Sequence, residues 1–223
     1  MPIYNARLTK INRQEMLRYA GLAKKHDFAP ELIELAAEEA LLLADARGAW
    51  QEYAYDENTG TILANGEYKL SGEKIKRHLT ACERVIVLCV TVGEAIENAV
   101  TENFSRGNYA LSVLIDAAAT AAVEQVADAV EAVMKPGAKK RGFTLKTRFS
   151  PGYGDWSLTA QRKILALSGG KSIGVTLTES LMLTPRKSVT AVIGLSRVAD
   201  SCTSTAAGCA ACGKTDCPFS VNP

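Results

Sequence analysis

Residues 108–134 constrain the fold of this chain more than any other stretch. Leu111, Leu114, Ala118, Ala122, Val126, Val130 and Val133 recur at helical spacing, so they form one buried stripe. The pattern predicts a long helix over about 108–134, ended by Pro136-Gly137. On another side Asp116, Thr120, Glu124 and Asp128 stack at four-residue intervals. A stripe of this kind is ordinarily a solvated face, which is the reading for Asp116 and Asp128. Glu124 differs in its surroundings, because Thr120, Ala121 and Ala127 are small and leave space beside its carboxylate.

The other segments supply a sheet. Val85-Ile86-Val87-Leu88-Cys89-Val90 is six consecutive apolar residues, the signature of a strand covered on both faces. Cys82 and Cys89 read as small buried hydrophobes. Residues 52–55 and 61–64 are strand-like, and Asn65-Gly66 signals a type I′ hairpin before residues 67–70. A short basic helix is expected over 74–79, and another carries Ile96, Ala99, Val100 and Phe104. Toward the N-terminus, Asn12 with Glu15 reads as a helix cap. A second helix opens at Pro30, buries Leu32, Leu35, Ala36, Leu42 and Leu43, and ends around Arg47-Gly48. His26, between these helices, reads as a surface loop residue. Toward the C-terminus the expectations are a strand over 143–147, a helix over 159–167, and two antiparallel strands over 179–183 and 189–195. Val189, Ala191, Ile193 and Leu195 fall on one side of the last strand.

The fold class is therefore α+β: an antiparallel sheet flanked by helices, with an N-terminal helical portion over 1–48. Residues 1–200 read as one domain and 201–223 as a cysteine-rich tail. No Gly-x-Gly-x-x-Gly follows a first strand, so Rossmann-type cofactor binding is not supported. A net charge of +2 gives no steering toward nucleic acid or membrane. No apolar signal region and no transmembrane-length run is read, which makes the cytoplasm the expected compartment.

Two segments carry chemistry. Arg148-Phe149-Ser150-Pro151-Gly152-Tyr153-Gly154-Asp155-Trp156 combines a guanidinium, a Pro-Gly turn and aromatic rings. Arg148 can fork onto a carboxylate, Gly152 lets backbone approach a ligand closely, and Tyr153 offers a ring face with a polar tip. The plainer reading is a type II turn, with Pro151 second and Gly152 third. In the tail, Cys202, Cys209, Cys212 and Cys217 place four thiols in sixteen residues. Such thiolates can close around zinc or hold an iron–sulfur cluster. Redox dithiols and incidental cysteines are the alternatives.

Arg148-x-x-Pro151-Gly152-Tyr153, with Thr178-Glu179-Ser180 and Pro185 to Ser188-Val189 beyond it, resembles the activation domain of cobalamin (vitamin B12)-dependent methionine synthase. The order His78-Leu79, Cys82, Val85 to Val90 and Thr91-Val92-Gly93 resembles that family less specifically. The resemblance implies a curved, twisted antiparallel sheet and a site for S-adenosylmethionine, here in a stand-alone subunit. By it, Arg148 meets the methionine carboxylate, while Ser150 and Gly152 lie beside the ligand. Tyr153 packs on the ligand and Glu124 accepts from its ammonium or ribose hydroxyls. The implied function is reactivation in trans: reductive methylation of cob(II)alamin on a cobalamin-binding methionine synthase or other corrinoid protein, with an electron donor. The chain is then not a complete methyltransferase by itself. An alternative is an electron-transfer or metal-binding accessory module for another corrinoid methyltransferase that has lost S-adenosylmethionine binding, and a structural accessory protein is a third. Two departures stand out. Gly154-Asp155-Trp156 replaces the family's Pro-x-Cys-Pro, and Val192, Ile193 and Gly194 stand where a ligand-contacting aromatic is usual in the last strand.

Overall fold

The computed structural model describes residues 2–22 and 28–197. His26 and the cysteines at 202, 209, 212 and 217 lie outside the described residues. Strand β5 (Cys82–Thr91) is the axis of the sheet, with β2 (Arg47–Asp56) on one side and β9 (Ser188–Ser196) on the other. Beyond β2 lie β3 (Thr61–Ala64) and β4 (Gly66–Lys69); beyond β9 lies the two-residue β6 (Thr144–Leu145). A further strand, β1 (Ile3–Asn5), also pairs with β2. Every pairing is antiparallel, and the sheet curls into a half-barrel. A separate two-stranded ladder joins β7 (Thr176–Leu177) to β8 (Leu183–Thr184).

Alternation along β5 and β9 divides the apolar residues between two layers, because successive side chains point to opposite faces. Ile86, Leu88 and Val90 join Ala191, Ile193 and Leu195 against the helical layer. Val85, Val87 and Val192 face the other way, onto Trp156 and Ile164. The helical layer is α5 (Tyr109–Lys140), on which α1 (Arg13–Tyr19), α2 (Pro30–Leu43) and α4 (Ala95–Ser105) pack. The opposite layer holds α3 (Glu73–His78) and α6 (Gln161–Ser168). Asn12 caps α1, accepting from the N–H groups of Gln14 and Glu15, while the Glu15 carboxylate pairs with Arg18.

Several expectations give way to packing. Helix α5 does not stop at Pro136-Gly137; it runs on to Lys140. A mid-helix proline removes a donor and crowds the preceding turn, yet Met134 before it and Ala138 beyond it keep one buried face. The end comes at Gly142, whose φ of +79° suits glycine. There the Phe143 N–H bonds the Ala138 carbonyl and the Gly142 N–H bonds that of Lys139, the paired bonds of a Schellman end. Leu111 is half-buried and Val133 exposed, so the stripe's two end members leave the core. Helix α5 is long and apolar enough to span a membrane by composition, but 61% of its most apolar window is buried against the rest of the protein. It is the core helix of the fold.

In α2 the buried residues are Ile33, Ala36, Ala37 and Ala40, whereas Leu35 and Leu42 are exposed, Leu42 by 84%. Small side chains on both α2 and α5 occupy the contact, and close approach of two helices favours them over leucine. The helix also ends at Leu43; Arg47 and Gly48 open β2. Around the β3–β4 turn Ala64 pairs directly with Gly66, and only Gly66 has positive φ, so it is a hairpin but not a type I′ turn. The segment 179–183 does not pair with β9; its end, β8, pairs with β7 instead. β5 already occupies one edge of β9, and β6 with Phe149 occupies the other.

Candidate functional site

The segment after β6 runs beside β9 until Phe149, which exchanges both backbone hydrogen bonds with Val192 at 3.0 and 2.8 Å. There the chain leaves the sheet. The Tyr153 N–H donates to the Ser150 carbonyl at 3.2 Å, and Gly152 takes φ +90°. This is the type II turn of the plainer reading. Two anchors hold it. The Gly152 N–H donates to the Trp156 carbonyl at 2.8 Å, and the Trp156 ring is 1% exposed in the core opposite the helical layer. Asp155 accepts from the N–H groups of Glu73 and Lys74 at 2.9 and 3.0 Å, capping the start of α3. Those N–H groups, Lys74's first, hold the Asp155 carboxyl below its ordinary pKa. Gly154-Asp155-Trp156, the departure from the family pattern, thus fastens the turn to α3 and to the core.

Arg148 precedes the turn and reaches α5. Its Nη1 lies 2.5 Å from Glu131 Oε1 and 2.9 Å from Asp128 Oδ1, and its Nη2 lies 3.2 Å from Glu124 Oε2. The three carboxylates are spaced i, i+4 and i+7 on α5, one helical face. The Arg148 side chain is only 17% exposed. Burial by itself would lower its pKa, but Glu131, Asp128 and Glu124 outweigh that and raise it. Burial pushes both Glu124 and Glu131 upward, with Asp128 adding to the rise and Arg148 opposing it. Asp116 and Asp128 keep the expected solvated face, 46% and 71% exposed, and each is also ion-paired. Asp128 serves Arg148, and Asp116 lies 2.9 Å from Lys187 Nζ.

Beside these groups is a cavity of about 440 Å³, within the range of small-molecule sites. Glu124 forms the α5 wall, and Arg148, Phe149, Ser150, Pro151, Gly152 and Tyr153 form the turn wall. Leu158 and Gln161 lie at the start of the α6 region, Leu181, Met182 and Leu183 at the tip of the β7–β8 hairpin, and Arg186, Ser188, Val189 and Thr190 at the entry to β9. All five residues singled out from the sequence (Glu124, Arg148, Ser150, Gly152 and Tyr153) line this one cavity. Tyr153 and Met182 are exposed on its rim. Val192, Ile193 and Gly194 are not among the lining residues. They lie farther along β9, buried, and a Cβ on Gly194 would meet Cys82 Sγ at 2.5 Å. The part of β9 at the cavity is Ser188 to Thr190.

Other lining residues escaped the sequence reading. Gln161 is buried and donates from Nε2 to Thr190 Oγ1 at 2.7 Å. The available signal is its place three and four residues before Ile164 and Leu165, on the apolar face of the helix. Leu181 takes φ +67°, rare for a leucine. Its turn is closed by its own N–H bond to the Thr178 carbonyl and by the Thr178 N–H bond to the Met182 carbonyl. Nothing in the pattern of 178–183 foretells that its tip faces Gly152. Among the described residues, no group of three or more His, Cys, Asp or Glu side chains is arranged to hold a metal ion.

A curled antiparallel sheet, a helical layer on one face and a cavity where α5 meets the Pro151-Gly152 turn define an α+β module with one candidate site. Its fold is that of the methionine synthase activation domain. The chain is similar to the MetH reactivation domain bound to AdoHcy, with a TM-score of 0.56 and 16% identity over 87% of this chain and 78% of that one. At that identity the likeness shows the fold. No protein-family model matches the sequence, and no curated protein matches it either.

Proposed function

We propose that this chain binds S-adenosylmethionine in the cavity between α5 and the Pro151-Gly152 turn, and acts as a reactivation subunit for a cobalamin-dependent methionine synthase. The observation carrying the reading is convergence: the residues that resemble the family's ligand contacts line one cavity, in a chain with the activation-domain fold. The cavity's chemistry suits the ligand. Glu124 can accept from an ammonium group, Gly152 keeps the turn wall free of a side chain, and Tyr153 gives a ring face at the mouth. Arg148 is the guanidinium for the ligand's carboxylate, which would share it with the α5 carboxylates.

What comes from outside the chain is a methyl group on a sulfonium sulfur and a cobalamin cobalt, reduced by an electron donor, on a partner protein. The chain's own contribution is to hold the methyl donor in one orientation at the rim, where Tyr153 and Met182 are exposed to an incoming partner. Cytoplasmic location belongs to the same proposal, as do Cys202, Cys209, Cys212 and Cys217 as a zinc or iron–sulfur site.

The test is calorimetric titration with S-adenosylmethionine, followed by remethylation of a cobalamin protein under reducing conditions. Binding in roughly the micromolar range, weakened in Gly152→Ala and in Arg148→Met, is the expected result. Absence of heat and of any thermal shift at millimolar ligand overturns the proposal.

A further inference from the structure

The charges around the cavity do not balance. Arg186 is paired with Glu97 at 3.2 Å, Lys187 with Asp116 at 2.9 Å, and Arg18, near Glu124, with Glu15 at 2.6 Å. Each of those pairs cancels. Arg148 instead faces three carboxylates on α5, two of them raised in pKa by burial. With Lys135, which also acts on Glu131, two cations against three carboxylates leave one formal negative charge behind the wall. Of the three carboxylates only Glu124 lines the cavity, and its contact with Arg148 is the longest at 3.2 Å. The opposite wall offers the Tyr153 ring, and an aromatic face attracts cationic groups.

Resting on the reading that S-adenosylmethionine binds here, we infer that the α5 wall selects the ligand by net charge, favouring the sulfonium form over the neutral thioether. At neutral pH the sulfonium form carries one positive charge more than the thioether. That charge lies in a half-enclosed site where opposite charges are weakly screened. The carboxyl and amino groups are common to both forms and do not discriminate. The selectivity therefore belongs to Glu124, Asp128 and Glu131 together. Asp128 and Glu131 act as positioning residues, through Arg148 and through the field they leave. The consequence is release: once its methyl group is gone, the ligand loses the charge that held it.

The experiment compares three probes by calorimetry on the full chain: S-adenosylmethionine, S-adenosylhomocysteine, and sinefungin, in which an amine replaces the methylsulfonium. Both cationic probes should bind about tenfold more tightly than the thioether, and raising the salt from about 0.05 to 0.5 M should narrow the gap. Asp128→Asn, whose side chain is 71% exposed, and Glu131→Gln should each narrow it as well, chiefly by weakening the cationic probes. Equal or tighter binding of the thioether, with the other two still bound, overturns the selectivity and leaves the site reading standing. Failure of all three probes to bind overturns the site reading and this inference with it.

Discussion

The two faces of the sheet are built in different ways. On one face the long helix α5 packs along β5 and β9, and its contacts are chiefly alanine and β-branched residues, with Leu114 and Met134, in register with a helical repeat. On the other, a nine-residue turn, a two-turn helix and two-residue strands cover the surface, each held by a few specific anchors. The periodic face packs into one continuous apolar cluster. The irregular face leaves a cavity, because short elements with fixed turns cannot fill the space beside α5. The candidate site sits at the seam, where a regular helix supplies charge and an irregular turn supplies shape.

The largest expected effect tests whether the turn face is as firmly anchored as the helical one. Trp156→Ala should cost about 3–5 kcal/mol and also loosen ligand binding, since the buried ring anchors the backbone carbonyl that holds Gly152. Chemical denaturation and calorimetry on the same sample would read both. On the helical face, Leu114→Ala removes a fully buried side chain, for about 2–5 kcal/mol, but the affinity of the folded fraction should stay unchanged. If Leu114→Ala weakens binding as much as Trp156→Ala does, the two faces are not separable.

A sharper version changes the turn alone. Gly152→Ala puts a Cβ on a residue at φ +90°, a strain of about 1–2 kcal/mol, and should reduce affinity by more than its loss of thermal stability suggests. The tail is expected to bind metal without reference to either face. Metal content per chain in anaerobically purified protein should fall in Cys209→Ser and persist in Cys82→Ser, since Cys82 is buried in the core. The smallest effect concerns Asp155, whose folded pKa is depressed by the Lys74 and Glu73 N–H groups. A depressed carboxylate stabilises the fold above its unfolded pKa and loses that contribution as pH falls through the folded value. Wild type should therefore lose stability below about pH 4 more steeply than Asp155→Asn in urea melts followed across pH.

The helical face was the more legible of the two. Leu114, Ala118, Ala122, Val126 and Val130 declared α5, and the run from Val85 to Val90 declared a strand covered on both sides, because burial repeats with the period of the backbone. The exposure of Leu35 and Leu42 was not legible. Hydrophobicity says that a side chain prefers burial, while the partner helix decides whether leucine or alanine fits. The site was legible in part. Arg148, Ser150, Gly152 and Tyr153 lie within six residues and could be seen as a group, and Glu124 could be added by resemblance. Asp128 and Glu131 could not, since a carboxylate on a polar helical stripe looks the same whether water or a buried guanidinium faces it.

The sequence by itself determined the helical period, the doubly buried strand, the Pro151-Gly152 turn and the cap at Asn12, all written in patterns of residues near one another in the chain. Tertiary structure alone decided that α5 continues past Pro136, that β8 pairs with β7 rather than β9, and that Leu181 and Thr190 meet Gly152 across one cavity. These outcomes depend on surfaces brought together from distant parts of the chain. There the burial of Met134 and Ala138, or prior occupation of both edges of β9, outweighs the local preference of any single segment.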